Sequence, residues 1–215
     1  MKLYASPFSS SLAVNIVLAE ADLPAEIVWV DLAAGRTADG SDLSALNPKA
    51  QVPTLLLDNR AVLTETSAIL QYLGDRVPCR QLVPLPASFE RYRLQEWLNF
   101  ISGELHKTLD LLLILPPGLD PGSADGARRL ADRLLPARLD HVARTLDDRS
   151  FLMGEYFTVA DADLFAMLIW VRHLEIDQTP WPALARYFAR LRNRPAISRV
   201  VERERAIRER AVAAA

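Results

Sequence analysis

The first 80 or so residues alternate short apolar runs with helical periods, and this order constrains the fold more than any other feature of the chain. Four apolar runs have the composition of strands, at residues 2–5, 26–32, 54–57 and 61–63. Two helical periods lie among them, at residues 11–21 and 64–76. The pattern predicts strand-helix-strand followed by strand-strand-helix, which is an α/β unit.

The composition changes after residue 78. Pro78, Pro84 and Pro86 cluster in a stretch without any period, which is typical of a linker. Every periodic segment beyond it is helical. We therefore predict an α/β domain over residues 1–78, a linker over 79–88 and an all-helical domain over 89–215.

Three helical periods are clear in the second domain. The first starts near Leu94 and stops at Pro116-Pro117. The second covers about residues 123–146 and contains Pro136, which should kink or interrupt the helix because a proline lacks the backbone N–H. Its apolar positions are expected on one side, at Leu130, Leu134, Val142 and Leu146.

The third period begins with the spacing of a capping box. Thr158 and Asp161 stand three residues apart, with aspartate in place of the usual glutamate or glutamine. The segment from there to Leu174 is apolar nearly all round. A helix of that kind belongs in the centre of a bundle.

Composition excludes several classes of function. A net charge of −2 gives no basic field for nucleic acid, and the seven arginines between Arg192 and Arg210 indicate a solvated terminal helix. Cys79 is the single cysteine, and the three histidines are scattered, so we expect no disulfide and no metal site. No apolar run is long enough for a membrane span, and Met1 is not followed by a signal peptide. We expect a cytoplasmic protein.

The turn before the third strand is the first candidate site. Pro53 follows Gln51 and Val52 there. We predict that the Val52-Pro53 bond is cis, so that the main chain of Val52 faces outward and can pair with an extended peptide as an added strand does. A trans proline at a strand start is the alternative.

A second candidate is the start of the helix near residue 65. Glu65, Thr66 and Ser67 crowd this position, and such residues also serve as helix caps. The free N–H groups of a helix start can bind a carboxylate while Glu65 holds an ammonium group. The γ-glutamyl end of glutathione presents both charges.

Three serines form the third candidate. Ser9, Ser10 and Ser11 stand at the start of the first helix, where serines often act as N-caps. A hydroxyl beside the positive end of a helix could also hold a thiolate.

The chain resembles the bacterial beta-class glutathione transferases over nearly its whole length. Five pieces carry the resemblance: Met-Lys-Leu-Tyr with Pro7 and the serines, Asn-Pro-Lys-x-Gln-Val-Pro53, Leu-Thr-Glu-x-x-Ala-Ile-x-Gln-Tyr-Leu73, Glu-Leu-His-Lys107 and Phe-Thr-x-Ala-Asp161. The resemblance implies a thioredoxin-like first domain, a helical second domain and glutathione as co-substrate, without a further cofactor. It also implies a homodimer, in which the first domain contacts the long helices of the partner's second domain.

The resemblance assigns roles by position. Val52 pairs with the cysteinyl backbone of glutathione, and Glu65 and Thr66 hold the γ-glutamyl group. The further glutathione-binding residues of the first domain are Arg36, Gln51, Pro53 and Ser67. The resemblance also implies that Asn99, His106 and Lys107 reach in from the second domain. Their spacing supports this, since residues 99, 103, 106 and 107 of one helix share a face.

Three positions depart from the beta class. Ser10 stands where the class has a cysteine, and a serine cannot form a mixed disulfide with glutathione. Arg36 replaces a displaced basic residue of the loop after Asp31, and Thr66 replaces a glycine or serine.

The predicted function is activation of the glutathione thiol for attack on a small hydrophobic electrophile or a peroxide, with Ser10, Ser11 and His106 as catalytic candidates. A non-catalytic protein that binds glutathione or carries a ligand is the alternative, because the cysteine is absent. A thioredoxin-like oxidoreductase is a further one, although the chain has no Cys-x-x-Cys.

Overall fold

The computed structural model describes residues 1–113 and 119–213 in two compact units. Met1–Val83 and Arg192–Ala215 form the first unit, and Pro84–Leu191 form the second. The predicted division assigned all residues from 89 onward to one helical domain. The structure differs at the C-terminus, because the last helix packs on the first one.

The first unit is built on a five-stranded mixed sheet. Strand β1 (Lys2–Ala5) pairs in parallel with β2 (Glu26–Asp31) and antiparallel with β4 (Thr54–Leu56), and β5 (Val62–Thr64) completes one edge. A short strand that the sequence did not predict, β3 (Arg36–Thr37), pairs with β2. The strand order is therefore β3-β2-β1-β4-β5.

The helices of the first unit are α1 (Ser11–Ala21), α2 (Thr66–Arg76) and α8 (Pro195–Ala213). Helix α1 is buried from Ser11 to Leu18 because β1, α2 and α8 all pack against it. The order strand-helix-strand, strand-strand-helix is confirmed.

Helix α8 is more than a solvated terminal helix, so that expectation was incomplete. Its apolar face buries Ile197, Val200 and Val201. The guanidinium of Arg194, just before the helix, makes two hydrogen bonds to the Glu20 carboxylate, of 2.8 and 2.9 Å. The arginine-rich segment is therefore anchored on the first unit.

The second unit is helical in its described residues. The elements are α3 (Phe89–Phe100), a π-helical segment (Ile101–His106), α4 (Lys107–Leu113), α5 (Pro121–Leu146), α6 (Val159–His173) and α7 (Pro182–Arg192), the end of which enters the first unit. Pro116-Pro117, the predicted stop, lies outside the described residues. In the described part of the chain, every helix is too short or too polar to cross a bilayer.

Helix α6 confirms two predictions. Its capping box is formed by Thr158 and Asp161, and the helix is buried on nearly every side. The all-helical second domain with α6 at its centre thus follows from the sequence pattern.

Helix α5 continues through Pro136, so the predicted interruption is wrong. Pro136 and Asp132 both lie on the exposed side, so water can solvate the Asp132 carbonyl that loses its N–H partner. Leu130 is 44% exposed, and the buried side is instead formed by Ala131, Leu135, Leu139, Val142, Ala143 and Leu146.

Candidate functional site

A hydrogen-bonded loop connects β1 to α1 and sets the positions of the three serines. The Ser9 hydroxyl donates to the Ser6 carbonyl at 2.9 Å, and the Ser11 hydroxyl donates to the same carbonyl at 3.1 Å. Ser11 also accepts from the Ser6 N–H at 3.1 Å and lies 2.8 Å from the Ser9 hydroxyl. Ser9 and Ser11 therefore hold the loop together.

Ser10 differs from its two neighbours. It occupies the N-cap position of α1 but makes no capping hydrogen bond with its side chain. Its hydroxyl instead donates to the Val52 carbonyl over 3.3 Å. Ser10 is 8% exposed, whereas Ser11 is fully buried, which argues against direct contact between Ser11 and a ligand.

The turn before β4 carries the predicted cis bond, between Val52 and Pro53. Asn47 and Thr54 fix this turn from inside. The Asn47 amide donates to the Gln51 carbonyl at 2.9 Å, and the Thr54 hydroxyl donates to the same carbonyl at 2.8 Å. The main chain of Gln51 is thus engaged within the protein, and the Gln51 side chain is exposed.

Glu65 precedes α2 with an unusual backbone conformation, φ 70° and ψ 120°. A left-handed φ costs a non-glycine residue about 1–3 kcal/mol, and such strain concentrates at functional sites. The Glu65 side chain does not cap α2, and the first turn of α2 contains no acidic residue. Because the first N–H groups of any helix lack intrahelical partners, the start of α2 has the properties of an anion site. Thr66 and Ser67 form that first turn.

Lys49 is a neighbour of Glu65 that the sequence reasoning missed. Its ammonium group forms an ion pair with the Glu65 carboxylate and donates to the Thr64 hydroxyl at 2.8 Å. The signal was present, since Lys49 belongs to the Asn-Pro-Lys motif, but no spacing rule connects it to residue 65. A ligand ammonium at Glu65 would meet this existing pair.

Arg36 follows a turn at residues 32–35 and begins the short strand β3, and its guanidinium donates to the Gly40 carbonyl at 2.8 Å. The side chain is exposed, and its role in glutathione binding stays a prediction.

The second unit contains the three remaining predicted residues. His106 packs edge to face on Trp170, with 4.9 Å between the ring centroids, and its Nε2 lies 3.4 Å from an Asp110 oxygen. The Lys107 ammonium contacts the other Asp110 oxygen at 3.2 Å. Burial lowers the pKa of His106, although Asp110 opposes this shift.

A π-helical segment, Ile101–His106, separates α3 from α4 and widens the helical turn there. Asn99, Gly103 and Lys107 are exposed and His106 is half-buried, so these residues lie on the side of the helix away from the core, as the predicted shared face requires. Asp110, which the sequence analysis did not select, links His106 and Lys107 from positions i+4 and i+3.

Comparison with known families matches two parts of the chain to the two domains of one family. The N-terminal domain of the glutathione S-transferase family matches residues 5–76, and its C-terminal domain matches residues 122–195. The matched ranges contain Ser10, Val52 and Glu65, the predicted site residues with the most specific geometry.

Solved structures give the same result over the whole chain. BphK, a bacterial glutathione S-transferase solved as a ternary complex, is 44% identical with a TM-score of 0.89, over 95% of this chain and 99% of that one. A sphingomonad enzyme complexed with glutathione is 37% identical with a TM-score of 0.87, over 95% and 98%. The beta-class enzyme of Sphingomonas chungbukensis is 37% identical with a TM-score of 0.88, over 95% and 98%.

These likenesses define the class of the protein. The chain belongs to the glutathione S-transferase family, and its similarity to bacterial beta-class members confirms that part of the predicted resemblance.

Proposed function

We propose that this protein is a glutathione transferase in which the Ser10 hydroxyl stabilises the glutathione thiolate. The observation that carries the proposal is the hydrogen bond from Ser10 to the Val52 carbonyl. The main chain of Val52 is where the cysteinyl backbone of glutathione is expected to pair, so the hydroxyl lies beside the expected place of the thiol. Ser10 also stands at the start of α1, where a negative charge is favoured.

The energy required for thiol activation is modest. A free thiol has a pKa of ~8.5, and a decrease of ~2 units corresponds to about 2.7 kcal/mol in favour of the thiolate. A hydrogen bond to a charged acceptor contributes ~1.5–3 kcal/mol, and a helix start adds ~0.3–1 kcal/mol. A serine hydroxyl has one proton, so Ser10 has to turn from the Val52 carbonyl to the thiolate, and the upper part of these ranges then covers the requirement.

The second part of the proposal concerns the γ-glutamyl end of glutathione. We place its carboxylate at the start of α2, near Thr66 and Ser67, and its ammonium group at Glu65. The strained backbone of Glu65 and the absence of acidic residues in the first turn support this placement. Lys49 then has to share or release the Glu65 carboxylate when glutathione binds.

Serine in place of the beta-class cysteine limits the chemistry. A hydroxyl can stabilise a thiolate but cannot exchange with a disulfide, so Ser10 cannot become covalently linked to glutathione. The thiolate of bound glutathione can still attack a small hydrophobic electrophile or a peroxide, because neither attack requires a covalent bond to Ser10. A reducing cytoplasm rich in glutathione is the compartment that fits this use of the thiol.

The proposed function is tested by binding and turnover together. Retention on immobilised glutathione, followed by a screen of aromatic electrophiles and organic peroxides, should show both saturable binding and glutathione consumption. Glu65→Gln should weaken glutathione binding about tenfold or more, because the amide loses the charge that the ammonium group requires. Binding without any turnover would instead support the alternative of a non-catalytic glutathione carrier.

We further propose that the protein is a homodimer. In the second unit, Leu85, Phe89 and Tyr92 expose large apolar surfaces, with 75% of Leu85 and 66% of Phe89 accessible. Such neighbouring apolar side chains favour a protein contact. Sedimentation should give a dimer at micromolar concentration, and Phe89→Asp should shift it toward the monomer. A monomeric wild-type protein would contradict the proposal.

A further inference from the structure

A buried carboxylate from the last helix contacts the loop that leads to Ser10. Glu204 on α8 is completely inaccessible to solvent. One of its oxygens accepts from the Phe8 N–H at 2.7 Å, and the other accepts from the Asn15 amide of α1 at 2.8 Å. Helix α8 therefore reaches the β1-α1 loop through a side chain that contributes an acceptor to each partner.

The contacted residue holds an uncommon backbone conformation. Phe8 has a φ of 60° although it is not a glycine, and it lies two residues before Ser10. A left-handed residue of this size persists only when its surroundings fix it. The short bond from Glu204 fixes its N–H, and the Arg208 guanidinium lies 5.8 Å from the centre of its ring.

The buried position of Glu204 disfavours the charged form of its carboxyl group. Burial raises the pKa of Glu204 to about 7, while the bonds from Phe8 and Asn15 and the charge of Arg203 act in the opposite direction. Among the described residues, the loop faces it with a neutral N–H, α1 with a neutral amide and α8 with the Arg203 guanidinium. That guanidinium donates to Oδ1, the side-chain amide oxygen of Asn15.

We propose that Glu204 is a positioning residue that holds the Phe8 backbone so that the Ser10 hydroxyl points to the glutathione thiol. The inference rests on the role of Ser10 proposed above and extends it to a residue near the end of the chain. The contact acts through the loop, and Glu204 itself does not touch glutathione. A carboxylate suits this position because each of its two oxygens accepts from a different donor.

The first test removes one of the two acceptor oxygens at position 204. In Glu204→Gln, the single amide oxygen can accept from Phe8 or from Asn15 but not from both, and the new NH₂ group then faces a donor. We expect kcat/KM for the glutathione reaction to fall about tenfold and the pKa of the thiol of bound glutathione to rise by about one unit. Glu209→Gln, an exposed substitution on the same helix, should retain wild-type values.

A second substitution should restore the hydrogen bonds. In Asn15→Asp/Glu204→Gln, the amide oxygen at position 204 accepts from the Phe8 N–H, and its NH₂ group donates to the new carboxylate at position 15. The second oxygen of that carboxylate still accepts from Arg203. The pair should recover at least half of the wild-type kcat/KM, and it also keeps the test available if Glu204→Gln alone fails to fold. A folded pair with the thiol pKa of Ser10→Ala would overturn the proposal.

A Ser10→Ala background separates this inference from the function on which it depends. If Glu204 acts through Ser10, adding Glu204→Gln to Ser10→Ala should change kcat/KM less than twofold and leave the thiol pKa unchanged. Equal losses in both backgrounds would identify a purely structural residue and overturn the proposal. An effect of Ser10→Ala without an effect of Glu204→Gln would overturn it alone. Wild-type values in Ser10→Ala would overturn both the role of Ser10 and this inference.

Discussion

Each of the two units contains a buried carboxylate that binds backbone N–H groups of a neighbouring loop, and the two carboxylates differ in what they hold. In the second unit, Asp161 accepts from the N–H groups of Leu152 and Thr158, both at 2.8 Å, and from the Tyr187 hydroxyl at 2.7 Å. In the first unit, Glu204 accepts from one backbone N–H, that of Phe8 two residues before Ser10, and from the Asn15 side-chain amide. The same interaction thus closes a helical core in one region and orients a candidate site in the other.

Burial affects both carboxyl groups in the same direction. It raises the pKa of Asp161, although the donors from Leu152, Thr158 and Tyr187 lower it again, and it raises the pKa of Glu204 to about 7. The difference lies in the number of donors. A carboxylate with more donors is more costly to disturb, so substitutions should affect stability in the second unit and activity in the first.

The largest effect is expected for Asp161→Asn. In the wild type, the donors are shared between the two carboxylate oxygens of Asp161. The asparagine amide has only one acceptor oxygen, so at least one strong hydrogen bond is lost, and the new NH₂ group faces another donor. The free energy of unfolding should fall by about 3 kcal/mol, which denaturant titration can measure. Asp132→Asn, at an exposed position of α5, is the matched control and should change it by less than about 0.5 kcal/mol. A loss below 1 kcal/mol for Asp161→Asn would remove the contrast between the units.

A second carboxyl group on the same helix sharpens the comparison. Asp163 is 2% exposed, its Oδ2 atom has no hydrogen-bond partner among the described residues, and burial raises its pKa to about 7. Folded Asp163 therefore keeps a proton that the unfolded chain releases above its usual pKa of 3.8. Stability is lost as the pH rises from about 4 to about 7 and stays low above it.

Asp163→Asn should abolish this pH dependence. A shift of about 3 units corresponds to at most ~4 kcal/mol, and because the amide is also buried without a partner, we expect a gain of about 1–2 kcal/mol at pH 8. At pH 4 the substitution should have little effect, since the native carboxyl is already protonated. Thermal unfolding at the two pH values checks this, and a gain of equal size at both would show that ionisation is not the cause.

Pro136→Ala should give the smallest change. It restores an N–H for the Asp132 carbonyl within α5, while the unfolded chain gains conformational freedom. We expect about 1 kcal/mol of added stability and an unchanged kcat/KM, measured by urea titration and steady-state kinetics. A change in activity larger than twofold would mean that stability of the second unit and activity are not separate.

Much of the fold could be predicted because the hydrophobic periodicity and the turn and capping residues agree with it. Strands β1, β2, β4 and β5 and the capping box of α6 follow from local patterns, whereas the cis bond at Pro53 was predicted from the Gln-Val-Pro turn in a thioredoxin-like domain. Strand β3 was missed because two residues show no period. The interruption predicted at Pro136 was wrong, because the sequence does not show that this face of the helix is exposed.

The site was less accessible to sequence reasoning because its polar partners are distant along the chain. Lys49 meets Glu65 only after β4 and β5 are formed, and Glu204 meets Phe8 only after α8 packs on α1. A signal for Glu204 did exist. Ile197, Val201 and Glu204 are separated by steps of four and three residues, so Glu204 lies on the same helix face as two apolar residues. On a fully solvated helix, no such apolar face is expected.

The central claim is that Ser10, and not its neighbours, stabilises the glutathione thiolate. The most direct measurement is the pKa of the thiol of bound glutathione, from the ultraviolet absorbance of the thiolate, in the wild-type protein, Ser9→Ala and Ser10→Ala. We expect a pKa of about 6.5 in the wild type, about 1–2 units below the value in Ser10→Ala, with little change in glutathione affinity. Ser9→Ala should stay within about 0.3 units of the wild type, since its hydroxyl serves the loop. An identical thiol pKa in Ser10→Ala and the wild type would contradict the account and leave Ser10 as a residue of the helix start alone.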